Sequence, residues 1–243
     1  MVSPLSLLRT ALVALFAAVL AFAPAQAADI VIETIVEYEI VTTDNGTDGD
    51  WANERGATQR HAPAPALQSD ANTGPQYGPF TVVDATTARM AGGVTGATPR
   101  DFAAMLVAHP TVKRLELIDC PGSLDEEANL RLARMIRRAG LATHIPEGGS
   151  VRSGAVELFL AGVTRSAHPT AEFGVHSWRD EAGLEAADYP ADDPVHAEYL
   201  SYYREMGLDA DAARAFYAMT NASDYDDIRY LTKADIARYV ALN

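Results

Sequence analysis

Cysteine is almost absent from this sequence: Cys120 stands alone among 243 residues. No disulfide can close within one chain, so the fold depends on its core or on assembly. Cys120 follows the apolar run Leu-Glu-Leu-Ile-Asp and reads as a buried thiol rather than a reactive one. Lysine is nearly as scarce, with only Lys113 and Lys233, and Lys plus Arg total 19 against 33 Asp plus Glu. A formal net charge of −14 gives no electrostatic basis for holding nucleic acid or an anionic membrane face. The six histidines are scattered without a His-x-x-x-His spacing, so no metal site is expected. Neither a Gly-x-Gly-x-x-Gly run nor a P-loop occurs. No cofactor is expected.

What is present begins with a targeting signature. Residues 1–27 carry one charge, Arg9, then an apolar run, then Ala25-Gln26-Ala27. That order is a signal peptide with a small-residue cleavage site. The apolar run is short for a membrane span and no stop-transfer segment follows, so no span is expected after cleavage. Removing one positive charge leaves 18 − 33 = −15 for the mature chain. Residues 28–78 read as an N-terminal strand, Asp29–Thr43, followed by a polar, aperiodic linker from Asp44 to Gly78. Residues 79–243 read as one domain.

Within that domain strands and helices alternate. Pro79–Gly96 predicts two short strands broken by glycine. Thr98–Pro110 predicts a helix capped by Thr98 with Pro99 at its first position. Val112–Cys120 is a nearly continuous apolar strand, as in a buried parallel sheet. Leu124–Gly140 predicts a helix with acids in its first turn, arginines in its last and Gly140 beyond its end. A short strand at 141–146, a helix at 153–162 and a strand at 171–178 follow, and then three helices. The alternation indicates an α/β fold with right-handed crossovers.

Two small-residue turns carry the chemistry. Glu147–Gly154, Glu-Gly-Gly-Ser-Val-Arg-Ser-Gly, presents Ser153 at a helix start. Free backbone N–H groups there can stabilise an oxyanion. The same serine can equally be an ordinary N-cap. The second turn, Pro121-Gly122-Ser123, leaves a buried strand and enters a helix. Both turns fall at one edge of a parallel sheet, where ligands usually bind. The N–H groups near Gly122 and Ser123 are therefore expected to face Ser153.

These segments, with Ala171-Glu172-Phe173-Gly174-Val175-His176 after them, resemble the Clp-protease/crotonase superfamily, and most closely its exported, periplasmic Clp-protease-like branch. The resemblance spans about Val82 to Leu242. It implies a Clp/crotonase-like ββα superhelix with a parallel sheet and C-terminal helices. It also implies Ser153 as nucleophile, His176 as base 23 residues on, and an oxyanion hole of the Gly122, Ser123 and Gly154 N–H groups. The orienting acid of the family precedes an aromatic-Leu-Ser/Thr segment, matched here by Tyr230-Leu231-Thr232. A gapless match sets Ile228 at the acid position. A one-residue shift sets Asp227 there, with Asp226 and Asp224 behind it.

The departures from the family are Ser123 in place of a second glycine, Arg152 beside the nucleophile and Glu157 one turn after it. Glu157 is in reach of Arg152 or Arg165. Some exported relatives use a serine–lysine dyad, but Lys113 and Lys233 fall in a strand and at a late helix start. His109 and His144 flank predicted elements, and His196 reads as structural. The aromatics Tyr199, Tyr202, Tyr203, Phe216 and Tyr217 read as core or subunit interface. The resemblance further implies a homo-oligomer. The expectation is an exported serine hydrolase, peptidase-like, acting on a peptide or other acyl substrate in the periplasm. The alternative is a non-catalytic binding or scaffold protein of the cell envelope. A crotonase-type acyl-CoA enzyme stands third, because that cofactor is cytoplasmic.

Overall fold

The computed structural model describes residues 74–180 and 182–243. The chain separates into two units, Met1–Asn53 and Glu54–Asn243, and all described residues belong to the second. The expected signal segment, the strand Asp29–Thr43 and most of the linker lie outside the described residues. The last linker residues are not irregular: Gln76–Tyr77 form strand β1.

Strands β1, β2 (Phe80–Val82) and β3 (Thr87–Ala91) make an antiparallel meander. The break between β2 and β3 comes from an aspartate rather than from glycine. The Asp84 carboxylate accepts from the Thr86 N–H at 2.7 Å and from its hydroxyl at 2.9 Å, a side-chain substitute for a backbone turn. Helix α1 (Thr98–Ala108) then carries the chain to β4 (Arg114–Cys120), which lies parallel to β3. Pro99 is tolerated because the first helical turn needs no N–H. Thr98 is the first helical residue rather than the cap, and its hydroxyl accepts from the Thr95 N–H at 2.9 Å.

Strand β4 divides its edge between two neighbours. Its first half, Arg114–Glu116, pairs with β5 (Ala142–Ile145), and Asp119 and Cys120 pair with β6 (Ser150–Arg152). One branch continues from β5 to β7 (Arg165–Ala167), the other from β6 to β8 (Glu172–Val175), all parallel. Strand β9 (Arg229–Thr232) closes the second branch, antiparallel to β8. The strands β6, β7 and β9 go beyond the sequence reading. Each has three or four residues, too few to show a period.

Helix α2 (Glu126–Arg138) starts where Asp125 accepts the Ala128 N–H at 2.9 Å and ends before Gly140, at φ +68°. Helix α3 (Ala155–Leu160) is buried at every residue, so it is a core element and not a surface one. Its Phe159 meets Phe173 of β8 edge-on, with ring centroids 5.1 Å apart. Helices α4 (Ala197–Glu205) and α5 (Ala210–Thr220) add Tyr202, Tyr203 and Phe216 to the core, as expected of that aromatic set. The last predicted helix shrinks to one turn, α6 (Lys233–Ile236), begun by a reciprocal cap between Thr232 and Asp235. The fold is thus α/β, with a largely parallel sheet and C-terminal helices. No helix among the described residues is long and apolar enough to cross a membrane.

Phe159 and Phe173 are fully buried and join α3 to the sheet. Replacing Phe159 with Ala should lower unfolding free energy by about 3–5 kcal/mol. Urea denaturation of the variant beside wild type checks this, and a loss under about 1 kcal/mol would contradict the packing.

Candidate active site

Ser153 follows the last residue of β6 and precedes Gly154, the cap of α3. It is the one non-glycine residue at positive φ, +50°, among the described residues. For an L-residue this conformation costs about 1–2 kcal/mol, so the surroundings must impose it. They do so from both sides. The Ser153 N–H donates to the Gly174 carbonyl at 2.9 Å, extending the β6–β8 ladder by one step. The Ser153 carbonyl accepts from the Val156 N–H at 3.0 Å, which opens α3. A sharp strand-to-helix bend with the side chain at its apex results.

The turn Pro121-Gly122-Ser123 packs directly on that apex, as the sequence leads one to expect. Gly122 has φ +126°, and a Cβ placed on it would stand 2.8 Å from Ser153 Cβ and 3.3 Å from Ser153 Oγ. Only glycine permits both the conformation and the approach. The Gly122 carbonyl accepts from the Val94 N–H at 2.9 Å, and the Leu124 N–H donates to the Val94 carbonyl at 2.9 Å. Because a trans peptide points its C=O and N–H in opposite directions, the Ser123 N–H faces away from Val94. No described hydrogen bond uses the N–H of Gly122, Ser123 or Gly154. Three backbone donors thus surround the serine without an acceptor among the described residues.

His176 follows the last residue of β8. Strands β6 and β8 are parallel neighbours whose register ends at Arg152↔Gly174. Ser153 and His176 therefore leave adjacent strands at the same edge of the sheet, and neighbouring strands lie about 4.8 Å apart. His176 Nδ1 lies 2.8 Å from the Ser177 carbonyl. Donation of Nδ1–H to that carbonyl places the basic lone pair on Nε2. The ring also meets Tyr225 edge-on at 4.9 Å, and Arg179 covers that tyrosine at 3.8 Å while pairing with Asp226 at 3.0 Å. Nothing in the sequence pattern singled out Ser177 or Tyr225.

Asp227 is not brought to this pair. It is exposed, its N–H donates to the Asp224 carbonyl at 3.0 Å within a turn, and its carboxylate makes no hydrogen bond or ion pair among the described residues. Asp226 is committed to Arg179, and Asp224 is exposed. Ile228 takes the place nearest the strand: its Cγ2 lies 3.0 Å from where a Gly174 Cβ would be. The β8–β9 pairing runs antiparallel to its last step at Val175↔Arg229, so the next residues in register are His176 and Ile228. The register thus agrees with the gapless match, which sets Ile228 at this position, and not with the one-residue shift to Asp227.

The two charged departures are tied off inside the fold. Arg152, 3% exposed, pairs with Asp119 at 2.9 Å and donates to Ser150 Oγ at 2.9 Å. Glu157 pairs with neither Arg152 nor Arg165. It accepts from the Tyr203 hydroxyl at 2.8 Å, while Arg165 donates to the Leu160 carbonyl at 2.7 Å. Lys113 precedes β4 and Lys233 follows β9, both at the sheet edge opposite Ser153. Cys120 is fully buried and its thiol is pushed up to about 12 by burial, as expected of a structural thiol. His196 is structural as well, with Nδ1 2.7 Å from the Tyr217 hydroxyl and Nε2 3.0 Å from the Pro190 carbonyl. No group of three or more metal-ligating side chains exists among the described residues.

Burial, and then the nearby Glu126 charge, push the Glu157 carboxyl up to about 8, against a smaller opposing effect of Tyr203. Glu126 is raised too, chiefly by burial. Folded protein therefore keeps protons that the unfolded chain releases above the ordinary glutamate range. The stability this holds is complete at about pH 4 and is lost as pH climbs towards 8. Urea denaturation between pH 5 and 8 should show wild type weakening relative to Glu157→Gln as pH rises. A constant difference between the two would contradict a protonated Glu157.

No protein-family model matches the sequence, and no curated protein matches it. Solved structures do resemble the fold. One is the 1510-N membrane protease specific for a stomatin homolog from Pyrococcus horikoshii, at 16% identity and TM-score 0.43, covering 65% of this chain and 70% of that one. Another is a ClpP1 variant from Listeria monocytogenes, at 16% identity and TM-score 0.46, covering 66% of this chain and 93% of that one. A third is methylmalonyl CoA decarboxylase with bound 2S-carboxypropyl CoA, at 13% identity and TM-score 0.45, covering 70% and 69%. The TM-scores stay under one half, and the chemistry assigned to the site comes from its own residues.

Proposed function

We propose that the protein is an exported, periplasmic serine hydrolase, peptidase-like, in which Ser153 attacks the carbonyl of a peptide or other acyl substrate. The observation that carries this reading is the strained Ser153 at φ +50°, closed on by Gly122 and standing beside the end of the strand that delivers His176. A helix cap needs no such conformation, since caps adopt ordinary extended backbone angles.

Ser153 Oγ adds to the carbonyl carbon while Nε2 of His176 takes the hydroxyl proton. The resulting oxyanion is met by the N–H groups of Gly122 or Ser123 and of Gly154. The tetrahedral species collapses, the bond to the leaving group breaks, and the imidazolium returns its proton to that group. Water then repeats the sequence on the acyl-serine and frees the acid. The Ser177 carbonyl fixes the histidine tautomer and Tyr225 packs on the ring. No cofactor enters these steps. Assembly into a homo-oligomer is part of the proposal through the Clp-like motifs.

The test is labelling with a fluorophosphonate, which reacts with activated serines. Wild type should label and Ser153→Ala should not. Folded wild type that stays unlabelled would favour the non-catalytic binding protein. Gly122→Ala sets a methyl against Ser153 and strains a φ of +126°. It should slow labelling by about 10²–10³, the usual effect of losing an oxyanion donor. Labelling at the wild-type rate would remove the turn from the site.

A further inference from the structure

Beneath Ser153 lies a buried polar cluster that the mechanism above does not use. Two of its members stand one helical turn apart at the start of α2, Glu126 and Asn129, a spacing that puts both on one face. Ser123 Oγ donates to Glu126 Oε2 at 2.7 Å. Asn129 Nδ2 donates to the Gly154 carbonyl at 2.8 Å. The two contacts converge: a Cβ at Gly154 would stand 2.7 Å from Asn129 Nδ2 and 2.8 Å from Ser123 Oγ.

Packing does not account for Asn129. It is fully buried, and its Oδ1 has no hydrogen-bond partner among the described residues. A buried amide with an unsatisfied oxygen is costly where a leucine would not be. What Asn129 supplies that an apolar residue cannot is a grip on Gly154. Glu126 does the same for Ser123, whose outer side is already pinned by Val94 through two backbone hydrogen bonds. Glu157, one α3 turn past Ser153, is held by the Tyr203 hydroxyl at 2.8 Å.

We infer that Glu126 and Asn129 are positioning residues of the Ser153 site: from one face of α2 they hold Ser123 and Gly154, the two backbone walls of the oxyanion hole, at a fixed separation. This rests on the serine-hydrolase reading. The residues do not touch substrate; they act by keeping two N–H groups aimed at one point, where a small misplacement is expensive in rate.

The experiment is a double-mutant cycle read by fluorophosphonate labelling rate, with amide chemical shifts of Ser123 and Gly154 as a second readout. Ser123→Ala and Glu126→Ala should each slow labelling about tenfold or more, and the double variant no further than Glu126→Ala, because the Ser123–Glu126 contact is lost in all three. Glu126→Gln keeps an acceptor and should stay within about threefold of wild type. Asn129→Ala should slow labelling and shift the Gly154 amide. Wild-type rates in Glu126→Ala and Asn129→Ala, or effects that multiply in the double variant, would overturn the inference. If Glu126→Ala does not fold, slow Ser123→Ala beside near-normal Glu126→Gln supports it, and a normal Ser123→Ala overturns it. Unlabelled wild type would sink the hydrolase reading instead. The amide shifts then decide the inference alone: unmoved Ser123 and Gly154 signals in the variants would refute it.

Discussion

Strand β4 spends its first half on β5 and its last two residues on β6, and the candidate site hangs on that division. The parting of β5 and β6 leaves β6 and β8 as a short parallel pair whose ends carry Ser153 and His176. It also brings the turn after β4 against the bend after β6. Gly122 can then sit within contact of Ser153, at a separation no side chain would allow. Because both backbones are held by ladder bonds, Ser153 has no cheap route out of its left-handed conformation. The strain is local and its support is spread over four elements.

Around that bend the protein buries an unusual amount of polarity for so small a core region. Arg152 is balanced by Asp119 on one side, and on the other Glu126 lies close enough to help raise the Glu157 carboxyl. Tyrosines of α4 close the second cluster, Tyr203 by donating to Glu157 Oε1 and Tyr202 to its carbonyl at 2.6 Å. A core built for stability alone would use leucines at such positions. The polar arrangement is explained by the need to hold backbone turns, where hydrogen bonds fix direction and apolar contacts do not.

Much of this was legible in the chain. The α/β class followed from alternating strands and helices, and the two turns were visible as small residues between apolar runs. Ser153, His176, Gly122, Ser123 and Gly154 come together at one edge of the sheet as those turns implied. The acid did not. Asp227 suited the role by residue type but needed a one-residue shift, and antiparallel pairing carries Ile228 to the place beside Gly174 and leaves Asp227 exposed. A one-residue slip in a strand reverses which side chains face the site, and composition cannot see register. Of Glu157 the sequence left open a pairing with Arg152 or Arg165; the structure gives it the Tyr203 hydroxyl instead, since spacing along a helix says nothing about which neighbouring helix supplies a donor.

By itself the sequence determined the order of elements and the two bends, because glycine, proline and small residues dictate local backbone conformation wherever they occur. It also determined which side chains, a serine and a histidine, stand at the ends of the two strands. Only the tertiary structure decided what orients the base, which carboxylates are buried together, and that Asn129 and Glu126 reach the walls of the site. The Asn129–Gly154 contact joins residues 25 positions apart, and Tyr203 reaches Glu157 from 46 positions away. Their partners are chosen by strand pairing and helix packing, to which no local pattern points.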